Sequence, residues 1–421
     1  MLRSAALLLC IFLGLSGYAQ NLDFARTFID SLCHADLHGR SWYGDGEQKA
    51  ANLIESEFRA AGLEAFEEGY LQKFILALNA FPGKVELTIG KKILTPGKDF
   101  LLMPYSGGGS GSFSIVRIHQ GNLGNYIRSN GTFNPAGLKG RLVLIDSRGI
   151  EDQKQQRALE GLVFQLPEVA GVILLEAKKL TYGKSKKAVP FPVFRILSSA
   201  FPKKWKKASF SVEQRLVSDY ESQTVVGFVK GTEQPDSFVV FSAHYDHLGR
   251  MGDATFFPGA NDNGSGTALL VDLARHFAKH PMRYTVVFMA FGAEEIGLVG
   301  SEYYCNHPFF SMDKIRFLMN IDLMGNGEDG ITVVNGKVFK QEFDLLVQLN
   351  EANQWVTSIK SRGKAANSDH YHFSEKGVPA FFIYTRGKNP AYHDLDDHPG
   401  NIGLFKYDEL FEMMVQFISS V

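Results

Sequence analysis

The most one-sided stretches of the chain are short runs with no polar face. Val286–Phe291 is the purest, and Phe238–Ala243, Phe317–Ile321 and Ala380–Tyr384 share its character. A strand with one solvated face alternates, whereas a short continuous apolar run is buried on both sides, the mark of a parallel sheet covered by helices. Strands are also predicted at Thr224–Val229 and Gly330–Val334. Between these runs the period changes to that of a helix. Thr267–Lys279 carries Leu269, Leu270, Leu273 and Phe277 on one side, and further helices are predicted around Leu298–Cys305, over Gln341–Asn353 and from about Lys406. Two helices open the chain: Asp23–Cys33, with Phe24, Phe28, Ile29 and Leu32 on one face, and Asp45–Ala61, stopped by Gly62.

From about Gly69 the texture differs. Alternating strands (Lys84–Ile89, Ser112–His119) are separated by GGGSGS and by turns, then come Arg141–Asp146, a polar helix near Gln153–Gly161, Gly171–Glu176 and Pro192–Ile196. This segment interrupts a single β/α pattern and holds no cluster of metal-type residues. The predicted architecture is therefore α/β, a mostly parallel mixed sheet flanked by helices. Residues 20–70 and 218–421 form the main domain, and 71–217 form an inserted β-rich domain suited to a lid, a specificity-shaping or a purely structural role.

Composition narrows the function. With 44 basic and 45 acidic residues in 421, the net charge is -1, and no global field favours nucleic acid or an anionic membrane. The lysine runs at 184–187 and 203–207 read as solvated faces. Arg3, the apolar stretch Ala5–Leu15 and Gly17-Tyr18-Ala19 form an export signal cut near Ala19, so residues 1–19 are excluded from the fold. Leu9 stands before Cys10 where a lipoprotein signal needs a small residue, and no apolar stretch is long enough for stable membrane insertion. A periplasmic or extracellular protein is expected, its oligomeric state open. Cys33 and Cys305 remain, and their pairing is open.

The candidate chemistry sits just past the apolar runs. His244 and Asp246 follow the first, Asp262 lies in the glycine-rich GANDNGSG, Glu294 and Glu295 follow Val286–Phe291, Asp322 ends Phe317–Ile321, and His393 follows Ala380–Tyr384. Ligands of open α/β sheets bind outside the carboxyl ends of the strands. Two like charges at about 4 Å repel by about 4 kcal/mol at an effective dielectric of about 20, which argues against a merely structural Glu pair. Histidines and carboxylates converging on one crevice need cations between them. Asp262, Glu295 and Asp322 bring three negative charges, which two Zn2+ ions and a bridging hydroxide balance. Glu294, without a ligand role, is placed to take the water's proton. Asp246 is placed to hold the second ring nitrogen of His244. His34 and His38 read as polar loop histidines.

The motifs SAHYDHLG, GANDNGSG, FGAEEIGLVGSEYY, NIDLMG, SDHYHF with GVPAFFIYT, and YHDLDD together resemble zinc metallopeptidase family 28, the bacterial leucyl aminopeptidase type. FIDSLCHADLHGR and AANLIESEFRAAGL resemble that family's entry segment, so the likeness covers most of the mature chain. The resemblance implies the phosphorylase/hydrolase-like fold of zinc exopeptidases, with a protease-associated-like insertion. It implies that His244 and Asp322 hold one zinc, that Glu295 and His393 hold the other, and that Asp262 bridges. Glu294 would be the general base, Asp246 and Asp397 orienting residues, and the Asp262–Asn263 peptide cis. His393-Asp394-Leu395 departs from the His-Thr-Pro common in relatives. The expected activity is hydrolysis of N-terminal peptide bonds, with aminopeptidase and carboxypeptidase not separated by the motifs. A one-zinc glutaminyl cyclase on the same fold, or a non-catalytic peptidase-like binding protein, are the other readings.

Overall fold

The computed structural model describes residues 18–421 except 68, 130, 131, 167 and 203. The proposed export signal lies outside the described residues but for its last two, at the start of helix α1 (Tyr18–Leu32). α1 buries Ala25, Phe28, Ile29 and Leu32, and α2 (Gly46–Ala61) buries Ala50, Ile54 and Phe58, each at three- and four-residue spacing. Gly62 adopts φ 87°, and its N–H closes α2 on the carbonyls of Phe58 and Arg59.

The main sheet has eight strands: β1 (Leu71–Ala80), β2 (Arg215–Val229), β3 (Gln234–His244), β4 (Tyr284–Phe291), β5 (Ile315–Asp322), β6 (Ile331–Val334), β7 (Ile359–Ser361) and β8 (Ala380–Thr385). Their order is β1-β2-β4-β3-β5-β8-β6-β7. The four central strands β4, β3, β5 and β8 run parallel; β1–β2, β2–β4 and β6–β8 are antiparallel. One rung runs Phe288, Phe241, Met319, Phe381. All eight residues of β4 are buried, as its unbroken apolar run requires.

Helices cover both faces. Val286, Phe288 and Ala290 of β4 pack with α1, α2, α3 (Gly266–Lys279) and the C-terminal helix, Tyr407–Ser420. Val287, Met289 and Phe291 pack on the other side with residues of α4 (Val299–Asn306) and of the short helix His370–Glu375. Cys33 belongs to the first layer and Cys305 to the second, and both are free thiols.

A second eight-stranded sheet, spanning Lys92–Leu94, Val85–Ile89, Lys207–Val212, Gly109–His119, Leu142–Asp146, Gly171–Glu176, Val193–Leu197 and Phe100–Leu102 in spatial order, has its own core. Residues 71–80 and 215–217, assigned on texture to the inserted domain, run in the main sheet instead. β1 is an edge strand with one solvated face, Lys73 and Ile75 exposed beside buried Phe74 and Leu76, so it alternates just as the insertion's strands do. The two sheets do not merely touch. Leu248, Met251 and Phe257 leave the main domain on a small hairpin and are buried in the insertion's core.

One buried group predicts a pH effect. Asp272 on α3 is 5% exposed, one carboxylate oxygen lacks a partner, and burial pushes its pKa up to about 7, only partly offset by Arg275. Between about pH 4 and the raised value the folded chain keeps a proton that the unfolded chain has released. Stability therefore falls as pH rises through that window and stays low above it. Asp272→Asn is expected to raise stability at about pH 8 by roughly 1–3 kcal/mol and to change little at about pH 4. Urea unfolding at both pH values checks this, and an equal gain at both would contradict it.

Candidate metal centre

Parallel strands deliver their C-terminal ends to one edge of the sheet. His244 is the last residue of β3, Asp322 the last of β5, and Glu294 and Glu295 follow β4 by a short turn. Asp262 lies in the loop before α3, and His393 in the loop after β8. The six side chains line one cleft of about 190 Å³, walled further by Leu323, Phe382, Tyr384 and Tyr392, with Arg362 at its rim. His34 and His38 are not among its lining.

Nε2 of His244 lies 3.3 Å from Oδ1 of Asp262 and 3.4 Å from Oδ2 of Asp322. Nε2 of His393 lies 3.0 Å from Oδ2 of Asp262 and 3.2 Å from Oε2 of Glu295. Asp262 thus gives one oxygen to each of two triads. In a tetrahedral zinc site with bonds of about 2.0–2.1 Å, neighbouring donors stand about 3.3 Å apart. The imidazole-to-carboxylate distances in both triads are near that spacing, and Oδ1 of Asp322 is buried with no hydrogen-bond partner. The donor set therefore fits a pair of zinc ions sharing one carboxylate. Glu294 stands outside both triads. Burial, reinforced by Glu295, Asp369 and Asp322 against the pull of His244, raises its carboxyl well above the usual range.

His247, which drew no attention in the sequence, is wholly buried with Nδ1 2.8 Å from Oε1 of Glu295. With Asp262 and Glu295 it makes an alternative three-donor group. The two carboxylate oxygens of Glu295 divide the roles: Oε1 accepts from His247, while Oε2 and Asp262 face His393 at ligand spacing. Both imidazoles therefore face these acids, His393 through Nε2 to Asp262 and Glu295 and His247 through Nδ1 to Glu295.

The surrounding residues hold the loops. Asp246 does so differently from expectation. Its carboxylate is 3.7 Å from Nδ1 of His244, too far for a hydrogen bond, and its backbone carbonyl, at 3.2 Å, meets that nitrogen instead. The carboxylate accepts the N–H groups of Glu294 (2.9 Å) and Glu295 (3.3 Å), two donors that compete successfully for it and pin the acidic pair. Asp397 accepts the N–H groups of Asn261 (2.7 Å) and Asp262 (3.0 Å). The Asp262–Asn263 peptide is cis. Gly259, at φ 65°, leaves no room for a Cβ against the Asp262 carbonyl and the His247 ring, which is why this loop is rich in glycine.

Arg40 is the residue most thoroughly missed. Its side chain is fully buried and donates to the carbonyls of Tyr245 (2.6 Å), Pro258 (2.6 Å), Gly259 (2.7 Å) and Leu32 (3.2 Å), tying the entry helices to the two loops that carry Asp246 and Asp262. Carbonyl partners leave no trace in side-chain patterns; the one signal was a cation just after a glycine in a polar turn. Arg40→Met is expected to cost about 3 kcal/mol of stability through the stranded carbonyls, read as a lowered urea midpoint. An unchanged midpoint would show that water replaces the guanidinium without penalty.

The fold and the twinned triads define a metallopeptidase-type centre at the C-terminal edge of an α/β sheet. Residues 224–418, which hold all six side chains of the cleft, match the family model of Peptidase family M28, and this part of the chain is assigned to that family. It is 26% identical over 367 residues, 83% of this chain and 74% of the relative, to aminopeptidase YwaD of Bacillus subtilis (strain 168). Its fold is similar to that of BSAP, a zinc aminopeptidase from Bacillus subtilis, with a TM-score of 0.69 and 22% identity over 93% of this chain and 94% of that one. A peptidase M28 precursor from Shewanella amazonensis SB2B superposes with a TM-score of 0.72 at 17% identity, covering 95% and 93%.

Proposed function

We propose that this chain is a di-zinc exopeptidase that removes residues from the N-termini of peptides. The observation that carries the reading is the sharing of Asp262 between two imidazole–carboxylate triads whose imidazole-to-carboxylate distances are 3.0–3.4 Å. His244 and Asp322 would hold one zinc, Glu295 and His393 the other, and Asp262 would serve both. When bound, such a pair supplies Lewis-acid polarisation of the scissile carbonyl and acidification of the attacking water. Glu294, free of both triads, takes that water's proton and passes it to the leaving amine; Asp246 keeps it in place through its backbone N–H.

The cleft supports an exopeptidase. Its volume, about 190 Å³, is on the scale of one bulky side chain, and Phe382, Tyr384 and Tyr392 line it beside the triads, which suits a chain terminus better than an extended strand. Action at the amino end is supported by the relatives named as aminopeptidases. Among the described residues no helix is long and apolar enough to cross a membrane, and we read Met1–Ala19 as the export signal of a periplasmic or extracellular enzyme.

The test combines a zinc count with a substrate panel. Two zinc ions per chain, cleavage of free aminoacyl peptides and no action on N-acetylated ones are expected, with activity lost on chelation and restored by zinc. One zinc per chain with pyroglutamate formation from N-terminal glutamine would replace this reading by a cyclase.

A further inference from the structure

The two histidines of the centre are aimed by different domains. Nδ1 of His244 meets the Asp246 carbonyl, two residues away in the same loop. Nδ1 of His393 meets the carbonyl of Tyr182, a residue of the inserted domain, at 3.1 Å, while the Tyr182 N–H donates to the His393 carbonyl at 2.9 Å. A ring nitrogen facing a carbonyl must carry the proton. The contact therefore fixes the tautomer, leaving the Nε2 lone pair free toward Asp262 and Glu295.

Residues 179–184 form a strap tied down on both sides of this contact. The Lys179 amine reaches Oδ2 of Asp394 and the Pro390 carbonyl, each at 2.5 Å, on the loop that carries His393. The Tyr182 ring stacks on Phe257 of the main-domain hairpin, with centroids 4.6 Å apart and planes 14° from parallel. Lys184, expected on a solvated face, instead turns inward to the Ser41 hydroxyl and the His247 carbonyl. Lys184 is half-buried there, and the loss of water lowers its pKa, a cost that the nearby acids Asp246, Glu47 and Glu295 only partly offset. A lid free to swing would break all of these contacts at each opening.

We propose that the inserted domain is a working part of the metal centre: the strap, through the Tyr182 carbonyl, sets the aim and tautomer of His393 and so the affinity of one of the two metal positions. Tyr182 is a positioning residue in this role. The inference rests on His393 being a ligand, and the test separates the two ideas. Zinc per chain is measured for the full-length protein across a series of buffered free-zinc concentrations, for wild type, for Lys179→Ala/Tyr182→Ala, and for His393→Ala. The strap variant keeps the Tyr182 carbonyl but loses the ring stacking and the lysine tie that hold it against His393. It is therefore expected to bind one zinc more weakly, by up to about the 10–100-fold that follows loss of a ligand's supporting hydrogen bond, and the other unchanged. Its activity should return as free zinc is raised.

If the strap variant binds both ions as wild type does while His393→Ala loses one, the strap idea falls and the ligand assignment stands. If neither variant changes zinc binding, His393 is no ligand and the inference falls with it. Equal weakening of both ions would mean general loosening and also overturns it. Should the double variant fail to fold, Lys179→Ala alone removes only the tie to Asp394 and Pro390, and a selective weakening of one ion, smaller in size, is then expected.

Discussion

Replacing Glu294 with glutamine is expected to lower kcat by roughly 10²–10⁴-fold while zinc content stays at the wild-type value. The side chain lines the cleft yet belongs to neither triad, so its carboxylate is not needed to hold a cation. Glutamine keeps the volume, and the backbone N–H that Asp246 accepts is untouched by the change. What disappears is the capacity to accept a proton. The loss should therefore fall on kcat and leave KM within a few-fold, because a proton-transfer group contributes mainly to the transition state. The acid limb of the kcat profile, which reports the base, should vanish with it. Retained activity would move the base elsewhere, and Asp369, buried with its pKa pushed up to about 7 and near enough to raise that of Glu294, would be the next group to vary.

What was legible in the amino-acid sequence was whatever depends on periodicity or on strand ends. β4 could be read because a strand buried on both faces has no alternative to an unbroken apolar run, and Glu294–Glu295 stood out against it. His244 and Asp322 were readable for the same reason, each standing where an apolar run stops. The illegible parts share a different cause. Arg40 and Tyr182 act on or through backbone carbonyls, which every residue possesses, so no spacing betrays them. Lys184 was misread because a local run of lysines says nothing of the acids that distant segments bring to it. Asp246 was assigned to the right neighbourhood but the wrong partner. Its carboxylate went to the N–H groups of the acidic pair, a contact across the chain that no local spacing encodes. The start of the inserted domain was misplaced because an edge strand and a strand of a separate β domain solve the same half-buried problem with the same alternation.

Asp262→Asn should be the most damaging single change to the centre, although not to the fold. Each oxygen of Asp262 faces a different histidine, so this one carboxylate serves both triads. An amide offers one oxygen and one NH2 group, and nitrogen with two protons cannot ligate. Zinc content is expected to fall below one per chain and activity by more than about 10³-fold, beyond the effect of losing the base alone. The metal-free fold should survive. The loop is held by Asp397, which accepts the Asn261 and Asp262 N–H groups, and by Arg40 on the Pro258 and Gly259 carbonyls, none of which uses the Asp262 side chain. Removing one negative charge relieves repulsion with Glu295 and Asp322 but gives up the attraction of His244 and His393, which holds the Asp262 carboxyl well below the usual range, so the two effects oppose each other. Thermal unfolding separates the two consequences. Wild type should lose stability when zinc is chelated, because ligands that bind only the folded state stabilise it by mass action. The variant should melt at one temperature with or without chelator, close to that of metal-free wild type. A variant that keeps two zinc ions, or that melts far below metal-free wild type, would show that Asp262 is not the shared ligand but a prop of the loop.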